Sequence, residues 1–361
     1  MIDLNDLGWD AFFSAQFPLH ADKGLCPARV VVHNRLGYVI VAEAGELTAV
    51  VSGKFRHQAK SPADYPVVGD WVAAELIPGE EKALIHTALP RRTRFSRAMA
   101  GGTTDEHILA ANVDDVFIVA ALEGGLNLRR IERYLALAFE SGAAPAVVLT
   151  KLDLCASAAE AKAAVASVEA LAGDAPVLAL SSVSGRGVKA LRKRIRPGRT
   201  AVLLGPSGVG KSTLVNELCG EELLAAQPVR EGDFKGRHTT TRRELLLLRG
   251  GGLIIDTPGM RELQLWEGEA GIADAFEDIT ALAAGCRFTN CLHGEEPGCA
   301  VRAALVAGTL PAARLENYRK LRGEAGTFRT RSAARAREEQ HRRNKAATRS
   351  LRGMRERDFE E

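Results

Sequence analysis

The sequence has no run approaching the roughly 18 consecutive apolar residues that a membrane-spanning helix needs. Its N-terminus, MIDLNDLGWDAFF, carries acidic residues where a secretory leader carries Lys or Arg ahead of an apolar stretch, so the expectation is a cytoplasmic chain with no membrane contact. Cysteine is scarce. Six in 361 residues exclude a disulfide-built scaffold and, in a reducing compartment, leave thiols or metal ligands. An excess of one charge sign is missing as well: 48 Lys and Arg stand against 45 Asp and Glu, so any basic surface must be local. No internal repeat is present. What remains is an ordinary globular composition, 46% hydrophobic and 26% charged, with length enough for two or three domains.

Between Arg29 and Leu89, β-branched runs are divided by Asn34, Gly37, Gly45, Gly53 and Gly69, which predicts four or five short strands in a small antiparallel barrel or sandwich. Such a domain either only packs or, as an OB-like barrel, offers a face to nucleic acid, which the basic stretch Arg91, Arg92, Arg94 and Arg97 would suit. From Val113 onward, apolar strands alternate with amphipathic helices, predicting an α/β unit whose ligand sits at the carboxyl ends of a mostly parallel sheet. The tail from Arg319 to Glu361 holds 14 Lys or Arg against 7 Asp or Glu, with few large apolar residues, and cannot build a core. The expected organisation is a barrel over 1–95, an α/β domain over 96–270, a small metal-binding helical domain over 271–330 and a basic, disordered tail over 331–361.

Four motifs carry chemistry. Gly205, Pro206, Ser207, Gly208, Val209, Gly210, Lys211 and Ser212, followed by Thr213, form a G-x-x-x-x-G-K-S loop between an apolar strand and a helix. Its backbone amides suit phosphate oxygens, Lys211 suits the β- and γ-phosphates, and Ser212 suits Mg²⁺. Thr150, Lys151 and Asp153 (T-K-L-D) end another strand, where the Asp153 carboxylate can accept from guanine N1–H and its exocyclic amine while the Lys151 stem lies over the ring. Ser181, Ser182 and Val183 follow the next strand and can offer backbone N–H groups to the guanine carbonyl. Asp256, in Asp256-Thr257-Pro258-Gly259, can hold Mg²⁺ through water, and the Gly259 amide can meet the γ-phosphate. The loop between, GRHTTTRR, offers a further Mg²⁺ ligand among Thr239, Thr240 and Thr241, with Thr240 favoured. Chain order places the base-reading motif before the phosphate loop, the signature of a circularly permuted GTPase. Finally, Cys286, Cys291, His293 and Cys299 crowd three thiols and one imidazole into 14 residues, a closed set for structural Zn²⁺.

The permuted order, the GRHTTT loop, the GDWV element and the C-x4-C-x-H-x5-C cluster together resemble the ribosome small subunit-dependent GTPase A family, also called RsgA, YjeQ or EngC. The resemblance covers residues 30–325. It implies an OB-like barrel, a permuted P-loop GTPase and a zinc domain. It also implies a late assembly factor that uses GTP, is left with GDP, contacts the 16S rRNA of the small ribosomal subunit, hydrolyses GTP when engaged there, and leaves. Met260 stands where many GTPases place a water-orienting Gln, and the resemblance points to His238 in that role, beside Lys211. Thr150 replaces the Asn common at its position, which predicts a weakened tie between base-reading and phosphate loops. Nothing demands a dimer, so a monomer is expected. The rival readings are a GTP-dependent switch for another ribonucleoprotein, such as the large subunit, and a non-catalytic RNA-binding module.

Overall fold

The computed structural model describes residues 2–34, 37–98, 106–220, 243–256 and 269–327, with positions 330, 334, 337 and 341 of the tail. Two short helices, α1 (Ala11–Ser14) and α2 (Pro18–Ala21), precede five strands: β1 (Cys26–Asn34), β2 (Gly37–Ala42), β3 (Gly45–Val51), β4 (Trp71–Leu76) and β5 (Lys82–Ala88). Helix α3 (Gly53–Gln58) sits between β3 and β4. The strands close in the order β1-β2-β3-β5-β4 and back to β1, antiparallel except for β3 with β5. Side-chain alternation explains how this OB-like barrel meets the rest of the chain. Val72 and Ala74 on β4 point into the barrel core while Trp71 and Ala73 point out, into the core shared with the next domain, and on β1 a bulge between Val30 and Val32 turns Val30 inward and Val32 outward. Trp9, Phe13 and Phe17 of the opening segment pack around Trp71, or against one another, in edge-on, tilted and stacked pairs, so residues 2–25 seal the junction rather than extend the barrel.

A two-stranded ribbon, β6 (Arg94–Ala98) and β7 (Glu106–Ala111), leads into the α/β unit. There follow β8 (Asp115–Ala121), α4 (Leu128–Ser141), β9 (Ala144–Thr150), α5 (Ala158–Ala172), β10 (Val177–Ala179), α6 (Val188–Arg192), β11 (Thr200–Leu204), α7 (Lys211–Cys219), β12 (Arg243–Leu247) and β13 (Leu253–Asp256). Strand order is β10-β9-β8-β11-β13-β12, parallel throughout except for β12. Strands covered on both faces read as continuous apolar runs, as β9 (APAVVLT) and β11 (TAVLL) do. Helix caps are local: Asn127 accepts from Arg130 N before α4, and Ser157 from Glu160 N before α5. Beyond β12 the sheet continues into the barrel, because Val32 and His33 of β1 pair antiparallel with Glu244 and Arg243, giving one 11-stranded sheet.

Arg29 fastens this junction. It is 1% exposed, and its guanidinium donates to the carbonyls of Leu7, Gly69 and Asn112 and, at 2.8 Å, to Thr200 Oγ1. One side chain thereby ties the opening segment, the barrel and the first residue of β11. Burial lowers its pKa to about 10, so it stays charged at neutral pH. Arg29→Met would leave the buried carbonyls of Leu7 and Asn112 without a donor, Gly69 keeping Asn112 Nδ2, and is expected to cost about 3 kcal/mol, read as a lower denaturant midpoint.

The basic stretch that suggested a nucleic-acid face is largely engaged within the protein. Arg91 makes two bonds to the buried Asp70 and donates to the carbonyls of Ala63 and Tyr65. Arg92 pairs with Asp10 and Asp114, and Arg94 with Glu106.

The C-terminal part comprises α8 (Glu269–Ala275), α9 (Glu277–Ala283), α10 (Ala300–Val306) and a helix over 312–327, α11. Helix α8 crosses α4 at Gly271, where a Cβ would stand 2.2 Å from the Ala136 carbonyl oxygen. Helix α11 is clamped to α4 through Arg314 with Glu132, Asn317 with Glu132, and Arg133 with Glu324. Among the described residues no helix is long and apolar enough to cross a membrane.

Candidate functional site

Because β8, β9, β10, β11 and β13 run parallel, their carboxyl ends share one edge of the sheet. That edge carries Thr150 at the end of β9, Ser181 just after β10, Gly205 just after β11 and Asp256 at the end of β13. The phosphate loop leaves β11 so close to β8 that a Cβ on Gly205 would lie 2.3 Å from the Val119 carbonyl oxygen. It turns through Gly208 and Gly210, both with left-handed φ, into α7. Lys211 folds back over it, its Nζ donating to the carbonyls of Gly205 at 2.7 Å and Pro206 at 2.6 Å. A cation is thus held above a nest of backbone amides, an arrangement built for anionic oxygens.

The two loops touch. Thr150 Oγ1 donates to the Val209 carbonyl oxygen at 2.6 Å, across 59 positions of sequence. The tie expected to weaken with Thr150 in place of Asn is present: a hydroxyl on a residue 2% exposed reaches the loop directly. Lys151 adopts a left-handed φ of 60°, one of three non-glycine residues to do so among those described. Such conformations cluster where function over-determines the backbone. Its Nζ pairs with Glu123 Oε2 at 2.8 Å, a partner from the turn just beyond β8 that motif reading missed. Asp153 follows it, exposed at the same rim. Leu180 N bonds the Leu149 carbonyl and Leu152 N the Leu180 carbonyl, which sets Ser181, Ser182 and Val183 beside T-K-L-D. Ser181 Oγ accepts from Ser184 N, Val183 is 83% exposed, and Ser182 Oγ is buried without a hydrogen-bond partner.

On the other side of the phosphate loop, burial raises the Asp256 carboxyl above its ordinary range, Lys211 opposes the shift and Glu244 adds to it. Glu244 stands directly opposite Asp256 in the β12–β13 ladder, so the two acids share a face. Only the register reveals this second acid. Two carboxylates on one face offer hard oxygen donors of the kind Mg²⁺ takes. His238, Thr239, Thr240, Thr241 and Gly259 lie outside the described residues.

At the knuckle, Cys286, Cys291, His293 and Cys299 place their ligand atoms within 4.8 Å of one another. Cys286 Sγ and Cys299 Sγ each lie 3.6 Å from His293 Nδ1 and 3.9 Å from each other. Tetrahedral zinc, with bonds of about 2.3 Å to sulfur and 2.0 Å to nitrogen, separates its ligands by about 3.5 to 3.8 Å. The cluster can hold a zinc ion. Backbone N–H groups of His293 and Arg302 donate to the sulfurs of Cys291 and Cys299, and Arg319 donates to the His293 carbonyl, orienting the ligands.

A sequence profile of the RsgA GTPase family matches residues 88–266. A protein of Opitutus terrae named small ribosomal subunit biogenesis GTPase RsgA is 48% identical over 89% of this chain and 89% of its own. The chain belongs to the RsgA GTPase family. Among solved structures, YjeQ from Thermotoga maritima superposes with a TM-score of 0.62 at 26% identity, covering 83% of this chain and 98% of its own. A protein described as YloQ, a circularly permuted GTPase, shares the fold with the same TM-score at 22% identity, over 84% of this chain and 96% of its own. Membership in the RsgA family accounts for barrel, permuted GTPase and Cys/His knuckle in one chain.

Proposed function

We propose that this chain hydrolyses GTP as a late maturation factor of the small ribosomal subunit. The observation that carries the reading is the 2.6 Å contact of Thr150 with Val209, which joins a base-reading strand end to a phosphate loop at one sheet edge. In this reading Gly205 to Thr213 hold the phosphates through backbone amides, with Lys211 on the β- and γ-phosphates. Asp153 reads N1–H and the amine of guanine, Ser181 to Val183 approach its carbonyl, and Glu123 steers the Lys151 stem over the ring. Ser212 and, through water, Asp256 hold Mg²⁺, which supplies charge neutralisation at the transferred phosphoryl group. The role of Thr240 as a further ligand rests on the hydroxyls of the GRHTTT loop, that of Gly259 at the γ-phosphate on the D-T-P-G motif, and that of His238 on the attacking water on the family resemblance. Zinc at the knuckle is structural, since four protein ligands leave no open position. The partner in this reading is the small subunit, which the name of the 48% identical relative supports, with its 16S rRNA as the contacted component; the chain acts in this reading as a cytoplasmic monomer.

The deciding experiment measures GTP turnover with added small subunits, large subunits or neither. Strong stimulation by small subunits alone is expected. Equal rates in all three would remove the ribosomal role, and stimulation by large subunits would move it. Thr150→Ala is expected to weaken GTP binding about tenfold by leaving a buried carbonyl unpaired, with binding measured by nucleotide fluorescence; Thr150→Ser should restore it.

A further inference from the structure

From Ala175 to Asn216 the chain contains no Asp or Glu, and residues 186–199 of this stretch hold seven Lys or Arg. In a protein of net charge +3 this is the concentration of positive charge that the overall balance conceals. Three of the seven are engaged or partly covered: Arg192 donates to the Glu217 carbonyl, Arg199 pairs with Asp115 at 2.9 Å, and Arg194 is half-buried. The other four, Arg186, Lys189, Lys193 and Arg196, are exposed, and among the described residues no carboxylate pairs with them.

Their placement follows from packing. Val188, Leu191 and Ile195 turn inward to the core under the sheet, which leaves Lys189, Lys193 and Arg196 on the outer side of α6 and its continuation, where Lys193 N bonds the Lys189 carbonyl. Arg186 sits one turn earlier, in the loop closed by the bond from Ser181 N to the Arg186 carbonyl. The strip therefore begins in the same short loop that contains Ser181, Ser182 and Val183.

We infer that Arg186, Lys189, Lys193 and Arg196 form a docking surface for the phosphate backbone of RNA, set against the base-reading loop. The inference rests on the reading of the chain as a factor that engages the small subunit. Four unpaired cations with no acid between them complement a repeating line of phosphates, and two guanidinium forks supply directed donors beside two mobile ammonium charges. The barrel-side stretch at Arg91 to Arg94 lacks this property, since its cations are already paired within the fold.

The test uses the full chain with Arg186→Gln, Lys189→Gln, Lys193→Gln and Arg196→Gln combined, and the pairs Arg186→Gln/Arg196→Gln and Lys189→Gln/Lys193→Gln. Binding to purified small subunits in a non-hydrolysable GTP analogue, and to a plain RNA duplex, is measured across a salt series. The slope of log affinity against log salt should become shallower by about 3 for the fourfold variant and by about half that for each pair. GDP affinity of the free protein should be unchanged. An unaltered slope on both ligands overturns the inference, as does wild-type protein that binds neither. Wild-type protein that binds the duplex with the expected slope change but ignores small subunits would sink the functional reading and leave this surface standing. Binding to anionic phospholipid vesicles is measured alongside, and a loss confined to the vesicles would assign the strip to a membrane and overturn the inference.

Discussion

Stripping metal from the knuckle is expected to release one equivalent of zinc and unfold residues 286–299, seen as hydrogen exchange accelerated there while the strands of the sheet stay protected. The size of the effect follows from competing magnitudes. Apparent binding energies of structural zinc are about 10 to 16 kcal/mol, as large as the roughly 5 to 15 kcal/mol that stabilises a whole domain. Cys291 and Cys299 are buried in the same core as Phe276, Val301 and Leu315, yet the loop between them contributes little apolar area of its own. Without the ion, three thiols and an imidazole would face one another in a space meant for a cation. Helix α11 should remain docked, because Arg314 and Asn317 hold it to Glu132 independently of the knuckle. Cys291→Ala should reproduce the effect, whereas Cys155→Ala, outside the cluster, should not. Normal protection of 286–299 in metal-free protein would show that the loop folds unaided.

Lys211→Ala is expected to lower subunit-stimulated GTP turnover by about 10²- to 10³-fold, the cost of removing one preorganised group that meets charge developing in the transition state. Its Nζ already bridges the Gly205 and Pro206 carbonyls, so little reorganisation separates the free loop from the loaded one. Lys211→Arg should rescue poorly, because a planar fork cannot occupy the place of a compact ammonium between two carbonyls 2.6 and 2.7 Å away. Turnover within a few-fold of wild type in Lys211→Ala would displace this residue from the chemistry. Thermal midpoints measured alongside separate that result from simple unfolding.

The parts of this architecture that sequence reveals are those encoded within a dozen residues. The phosphate loop, the T-K-L-D strand end and the Cys/His knuckle each carry their chemistry in local spacing, and the alternation of apolar strands and helices announces a parallel sheet. What sequence hides is encoded across long separations. Thr150 looks like a defect beside Asn until Val209 is seen 2.6 Å away. Arg91, Arg92 and Arg94 look like a basic face because Asp70, Asp10 and Glu106, which pair with them, come from elsewhere in the chain. Glu123 and Glu244 belong to no motif and gain meaning only from the strand neighbours that bring Lys151 and Asp256 to them. Arg29 reads as an ordinary strand residue, because nothing local signals that three carbonyls and a hydroxyl converge on it.

The pairing of β1 with β12 also bears on how the protein can be dissected. Severing the barrel would strip β12 of its partner and leave an open row of amide and carbonyl groups flanked by Leu245 and Leu247, a ready template for other chains. Excised catalytic fragments should therefore self-associate and precipitate, and a soluble minimal enzyme would need a capped or charge-blocked border in place of β1.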